Sequence, residues 1–167
     1  MASLLDISQI SEANPLDQIE LFITENEWPC DRQGDDELIF AISGNWCDYQ
    51  MWFSWRPEIS ALTSACAFEM KVPPAKQAAL HTLIVKLNER MPLGHFDLWG
   101  SEKVLLFRQG LPLRGCSGPS REQIEDLVEI SLSECERYFP AIQFVLWGGK
   151  SPDEAIEAAM LDTVGEA

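Results

Sequence analysis

Three stretches of this sequence carry side chains of the kind that do chemistry. His95 and Asp97 flank Phe96 in the run Gly94-His95-Phe96-Asp97-Leu98-Trp99. On a strand they share a face about 7 Å apart, which suits a carboxylate that orients an imidazole as general base. Spacing sets no nucleophile beside them, so a hydrogen-bonded structural pair is the plainer reading. Cys116 stands between Gly115 and Gly118, with Arg114 and Arg121 nearby and a helix start just beyond. Positive charge and a helix N-terminus favour a thiolate. Cys116 is therefore the expected most reactive of the five thiols, if it is more than an ordinary loop cysteine. Gly149-Lys150-Ser151 looks like the tail of a phosphate-binding loop, but Phe144 stands where that loop needs its first glycine. A capping box from Ser151 to Glu154 accounts for the serine without a nucleotide.

Metal binding has little to build on. There is no Cys-x-x-Cys or His-x-x-x-His pair, and His81 and His95 fall on different elements. Asp35-Asp36-Glu37 lacks the spacing of a calcium loop. The expectation is no metal and no cofactor. An enzyme, if this is one, would be a small hydrolase or thiol enzyme using His95 with Asp97, or Cys116.

Aromatic and acidic side chains form the other constellations. The run Trp46–Trp55 puts Cys47, Tyr49, Met51, Phe53 and Trp55 on one side of a strand, and Trp46 and Trp52 on the other. A strand with one wet face would be polar there. Burying one indole contributes on the order of 4–6 kcal/mol, from roughly 150–250 Å² at about 25 cal/mol per Å². Either the last helices, with Phe144 and Trp147, wrap that second face, or it serves a partner, a second copy of the chain or a stacked ligand. Glu122, Glu125, Asp126 and Glu129 fall on one helix face. That is a solvated face, its first-turn acids favouring the helix dipole, or a docking strip for a basic segment. The candidate partner-binding residues are Trp46, Trp52, Trp99, Trp147, Glu122, Glu125, Asp126 and Glu129.

These residues need elements to hold them. Asn14-Pro15-Leu16-Asp17 reads as a capped helix start, with Leu16, Ile19, Phe22 and Ile23 on one face to about Asn26. Trp28 to Arg32 is a short extended piece. Strands follow around Leu38–Ile42, Trp46–Trp55 and Leu62–Met70, with a tight turn at Gly44-Asn45. A helix carries Leu80, Leu83, Ile84 and Leu87. Strands His95–Trp99 and Val104–Leu113 come next. A helix capped by Ser120 and Gln123 then buries Ile124, Leu127, Val128, Leu132 and Cys135, and Pro140 should kink or break it near Tyr138. A second half runs Ala141–Trp147, and a last short helix reaches about Leu161. The class is α+β: a two-layer fold with an antiparallel sheet, in α-β-β-β-α-β-β-α order plus a short C-terminal helix. Residues 1–13 lack periodicity and read as a flexible N-terminal segment before one domain, 14–167.

Composition excludes whole classes. The chain has 167 residues, 46% hydrophobic and 23% charged, as in ordinary globular domains. Lys and Arg number 12 against 27 Asp and Glu, a net charge of −15. Such a surface repels phosphate backbones and anionic lipid, and favours a basic partner surface. No stretch reads as a secretory signal or reaches the ~18 apolar residues of a membrane helix. Five dispersed cysteines fit reduced thiols better than a disulfide framework. A cytoplasmic protein, binding neither nucleic acid nor membrane, is expected.

Certain motifs resemble a known family. Trp46-Cys47-Asp48-Tyr49, Phe53-Ser54-Trp55 and Gly94-His95-Phe96-Asp97-Leu98-Trp99 are similar to the YbjN family as found in alphaproteobacteria. So is the tail, from Glu136-Arg137-Tyr138-Phe139-Pro140 to Trp147-Gly148-Gly149-Lys150-Ser151, its most specific part. The resemblance spans about residues 14–165. It implies a bacterial sensory-transduction regulator with the fold of type III secretion chaperones, and it carries over no catalytic residues. Chaperones of that fold bind an extended segment of another protein and are usually homodimers. The resulting expectation is a non-enzymatic, chaperone-like regulator. It would hold a protein segment on an apolar surface with an acidic surround. A structural homodimer is a further alternative.

Overall fold

The computed structural model describes residues 14–164. The expected flexible segment 1–13 lies outside the described residues. Helix α1 (Pro15–Glu25) starts where Asn14 caps it, the Leu16 N–H donating to Asn14 Oδ1 at 3.0 Å. Strands β1 (Cys30–Gln33), β2 (Glu37–Ser43), β3 (Asp48–Arg56) and β4 (Ala61–Phe68) follow. Helix α2 (Gln77–Asn88) leads to β5 (His95–Trp99) and β6 (Val104–Pro112). Helices α3 (Arg121–Leu146) and α4 (Pro152–Val164) close the described chain.

The six strands make one sheet in the order β1-β2-β3-β4-β6-β5, antiparallel at every pairing. The α+β class therefore holds, with one strand more than the sequence reading gave. The short extended piece after α1 pairs with β2, Cys30 opposite Phe40.

Alternation sorts the sheet into two faces. Leu38, Phe40, Tyr49, Met51, Phe53, Leu62, Cys66, Phe96, Leu105 and Phe107 point inward and are essentially fully buried. Against them lie Leu16, Ile19 and Ile23 of α1 and Leu80, Leu83 and Leu87 of α2. Helix α3 adds Cys135, Tyr138, Phe139 and Ile142. Stacked and edge-on rings run through this layer, from Phe22, Trp28, Phe40 and Phe53 at one side to Phe96 with Phe107 and Tyr138 at the other. Helix α4 packs on α2 and α3, where Lys86 meets Asp153 at 2.9 Å.

Two sequence expectations fail here for physical reasons. Helix α3 runs through Pro140 unbroken over 26 residues. The proline ring removes the N–H that would bond the Glu136 carbonyl, a cost of about 3 kcal/mol. The apolar stripe keeps its period past that point, through Ala141, Ile142, Val145 and Leu146, all at most 2% exposed. At about 1.5–3 kcal/mol for each large side chain, burial exceeds the proline cost. Next, Trp46 is not in a strand. The Gly44 N–H donates to the Cys47 carbonyl at 3.0 Å, closing a turn before the ladder starts at Ser43 opposite Asp48.

Neither does the C-terminal part of the chain wrap the second face of the sheet. The helix contacts to the sheet are made on the inner side: Gln109 reaches the Leu127 carbonyl and Ser131, and Phe139 stacks on Phe68. Past Pro140 the stripe of α3 stays in the core, and among the described residues no helix lies over the outer face.

Candidate functional site

The outer face is where the strands set two of the four candidate tryptophans. Across β2, β3, β4, β6 and β5 the register makes a row of Ile39, Trp52, Ala65, Arg108 and His95. The adjacent row is Ala41, Gln50, Ala67, Leu106 and Asp97. Trp99 ends the next one beside Val104. Small residues in the middle lower the floor, and indoles stand above it. A depression of about 90 Å³ lies between Trp52 and Trp99, floored by Ala65 and Leu106, with Arg56 and Arg108 at its margin. A shallower one of about 800 Å³ runs past Gln50, Ala67, Met70 and Val104, with Asp48, Glu69 and Glu102 around it. Trp99 is 55% exposed, while Leu106 on the floor is only 2% exposed.

Both ends of the sheet are protected against strand addition. At β5 the Phe96 N–H donates to Asn88 Oδ1 at 2.8 Å, and Asn88 Nδ2 donates to the Phe96 carbonyl at 3.1 Å. One side-chain amide thus occupies the backbone pair that an incoming strand would need. At the other edge β1 has four residues, with Asp31 pointing outward.

Trp46 and Trp147 belong elsewhere. Trp46 stacks on Phe139 at 5.6 Å, its ring planes 9° apart, and remains 54% exposed. Its turn is fastened by Glu136 of α3. That carboxylate accepts from the Asn45 N–H at 2.8 Å, the Trp46 N–H at 3.4 Å and the Tyr49 hydroxyl at 2.7 Å. Gly44 allows the approach, since a Cβ there would overlap the Glu136 carboxylate and the Tyr49 ring. Burial and then the bond to Glu136 hold the Tyr49 phenol well above its ordinary range. Trp147 caps the end of α3, exposed, its N–H donating to the Gln143 carbonyl at 2.9 Å. The four indoles therefore do not form one surface.

The acidic strip is split as well. Glu122 and Asp126 are exposed; the Glu122 carboxyl is held low by its own backbone N–H and by the Ser120 hydroxyl. Glu125 meets Arg121 at 3.0 Å and, with Glu129, lines a groove between α1 and α3. The sequence reading missed the apolar partners of those acids, Phe22 and Trp28, which it assigned to the core and to an extended piece.

Catalytic groupings are not assembled. Asp97 accepts from Arg108 at 3.5 Å, and that pair takes up the carboxylate next to His95. Cys116 lies past the end of β6, near Ser60, whose carbonyl accepts from the Leu113 N–H. His95 pairs with Arg108, four residues before that end, about 14 Å of strand away. Cys30 and Cys116 are exposed; Cys66 and Cys135 are buried face to face between β4 and α3. Burial, reinforced by Cys66, pushes the Cys135 thiol well up, and burial raises Cys47 too. No group of three or more His, Cys, Asp or Glu among the described residues is arranged to hold a metal ion. Among them no helix is long and apolar enough to cross a membrane.

The class defined so far is an α+β protein with helices on one side of an antiparallel sheet and an indole-bearing face on the other. The sequence places it further: a family model described as "Putative bacterial sensory transduction regulator" matches residues 15–144, and the chain belongs to the YbjN family. Among solved structures it is similar to the crystal structure of YbjN from E. coli, described as "a putative transcription regulator". That similarity has a TM-score of 0.54 at 14% identity, over 72% of this chain and 85% of the other. It concerns the fold alone. No curated protein matched the sequence.

Proposed function

We propose that this protein is a non-enzymatic cytoplasmic regulator that acts by holding an extended, apolar segment of another protein across the outer face of its sheet. The observation that carries the reading is the face with Trp52 and Trp99, which has no helix over it among the described residues although its floor is apolar. Covering the exposed half of one such indole contributes roughly 2–3 kcal/mol. Asn88 and the short β1 keep the guest off the edges; both signs of charge rim the depressions, Glu37, Asp48, Glu69 and Glu102 against Arg56, Lys71 and Arg108, so it is the net charge of −15 that favours a guest with basic flanks. Membership in a regulator family and the chaperone-like element order support the same reading.

The test uses a photo-crosslinking amino acid at position 63, inside the trough, and at exposed His81 on α2 as control. Expressed in its native host, the protein should crosslink one protein species from position 63 and not from 81. Trp52→Ser with Trp99→Ser should abolish that product while leaving the melting curve in place. Crosslinking only to a second copy of the chain would replace this reading by a homodimer. Equal products from both positions would overturn it.

A further inference from the structure

The helix side of the molecule carries a second surface of different chemistry. Along α3, Arg121, Glu125, Glu129 and Leu132 recur at spacings of three and four residues and form one wall of a groove. The opposite wall is α1, and the floor is Phe22, Trp28, Ile42 and Val128. Two hollows open in it. One, of about 330 Å³, is lined by those apolar groups with Glu125 and Glu129; the other, of about 250 Å³, by Leu21, Phe22, Pro119 and Ile124 with Glu25. They share Phe22 and Arg121, and their α3 linings are centred four to five residues apart, about 7 Å or one helical turn. That is the spacing of side chains i and i+4 on a docking helix. Leu21 at the rim is 61% exposed.

The ridge between the hollows shows which charge this groove accepts. Arg121 lies there with its guanidinium 5.6 Å from the Phe22 ring, 2.6 Å from Glu25 and 3.0 Å from Glu125. An aromatic face with two carboxylates is thus already holding one arginine. One turn on, Glu129 repeats the carboxylate beside Trp28 and Leu132 and has no ion-pair partner among the described residues. Among the described residues Arg121 is the only base lining the two hollows, and Glu25 and Glu125 already engage it. The groove therefore complements a cation and disfavours an acid.

We infer that the α1–α3 groove takes a basic amphipathic helix of a partner protein. Two apolar side chains, one helical turn apart, enter the hollows, and a lysine or arginine beside them pairs with Glu129. This surface is separate from the outer sheet face, so it stands whether or not that face holds a segment.

Fluorescence anisotropy with two labelled synthetic 18-residue helices tests the inference. One has leucines along one stripe and lysine and arginine elsewhere; the other has glutamate in their place. The full chain should bind the basic helix and not the acidic one. Glu129→Lys should weaken binding at least tenfold. The charge-matched control Asp48→Lys, on the far side of the sheet, should change it less than twofold, which separates the groove from general attraction to a chain of net charge −15. Trp52→Ser with Trp99→Ser should leave it unchanged. Absence of binding by the basic helix, equal loss in Glu129→Lys and Asp48→Lys, or loss in the tryptophan variant each overturns the proposal.

Discussion

The five thiols of this chain fall into three degrees of exposure, and exposure sets reactivity. Cys30 and Cys116 stand in solvent, Cys47 is half-covered by its turn, and Cys66 and Cys135 are sealed between sheet and helix. A thiolate is the reacting form, so burial that raises the Cys47 and Cys135 thiols slows them twice, by access and by ionisation. Alkylation at pH 8 under native conditions should therefore modify Cys30 and Cys116 first and Cys47 later. Cys66 and Cys135 should react only with denaturant present. Peptide mass mapping over time reads the order, and early labelling of Cys135 would contradict the packing. Alkaline stability follows from the same groups. A group whose folded pKa is raised adds stability that is complete below its unfolded value and disappears as pH climbs toward the folded one. Cys47 and Cys135 should begin to subtract near pH 8.5, and Tyr49 above about pH 10. Melting temperature followed from pH 7 to 12 should fall in two stages. Tyr49→Phe should flatten the second; an unchanged slope would mean that burial and Glu136 do not hold the phenol protonated.

At the scale of elements the outcome depends on which contacts are local. Helix starts were legible because their determinants sit within a turn: Asn14 bonds Leu16, Ser120 and Gln123 exchange bonds, and so do Ser151 and Glu154. Strand alternation was equally legible, from Leu38 to Phe40 and from Tyr49 to Phe53. What failed needed partners far along the chain. Glu136 fixes the turn at Asn45 from 91 residues away, and nothing near Trp46 announces it. Helix α3 survives Pro140 because the sheet covers the residues beyond it. Alternation placed Trp52 opposite the core-facing Tyr49 and Phe53, and Trp99 beside His95 and Asp97, but that the two indoles share one face needs the register through β4 and β6. The groove was not legible, because Phe22 and Trp28 read as core until α3 is laid beside them. Asn88 bonds Phe96 only eight residues on, yet nothing in the pattern announces it, and it is testable. Asn88→Ala strips the Phe96 N–H and carbonyl of their partners while leaving the helix intact. Stability should drop by about 1–3 kcal/mol. The opened β5 edge should also promote concentration-dependent association, visible by light scattering. A monomeric variant of unchanged stability would show that the amide does not protect the edge.

For the whole molecule, charge sets the conditions under which the fold and its surfaces operate. Of 27 acidic residues, seven take part in ion pairs among the described residues: Asp17, Glu20, Glu25, Asp97, Glu125, Glu134 and Asp153. All of those pairs have at least one well-exposed partner, so their attraction is worth little, typically under about 1 kcal/mol each. The other carboxylates repel one another across a molecule whose diameter is comparable to the screening length of about 30 Å at 10 mM salt. Raising salt to 0.15 M shortens that length to about 8 Å and removes most of the long-range repulsion, while pairs in contact lose less. Net repulsion therefore dominates, and added salt should stabilise the fold. Scanning calorimetry at pH 7 should show melting temperature rising by roughly 2–4 °C between 10 and 150 mM sodium chloride, the equivalent of about 1 kcal/mol for a chain of this size. Binding of a basic partner should move the opposite way and weaken over the same range, because the field that destabilises the free protein is the one that attracts the guest. A melting temperature that falls with salt would mean that the exposed pairs, and not the unpaired acids, govern the electrostatics. The charge argument for a basic guest would then lose its footing on both faces.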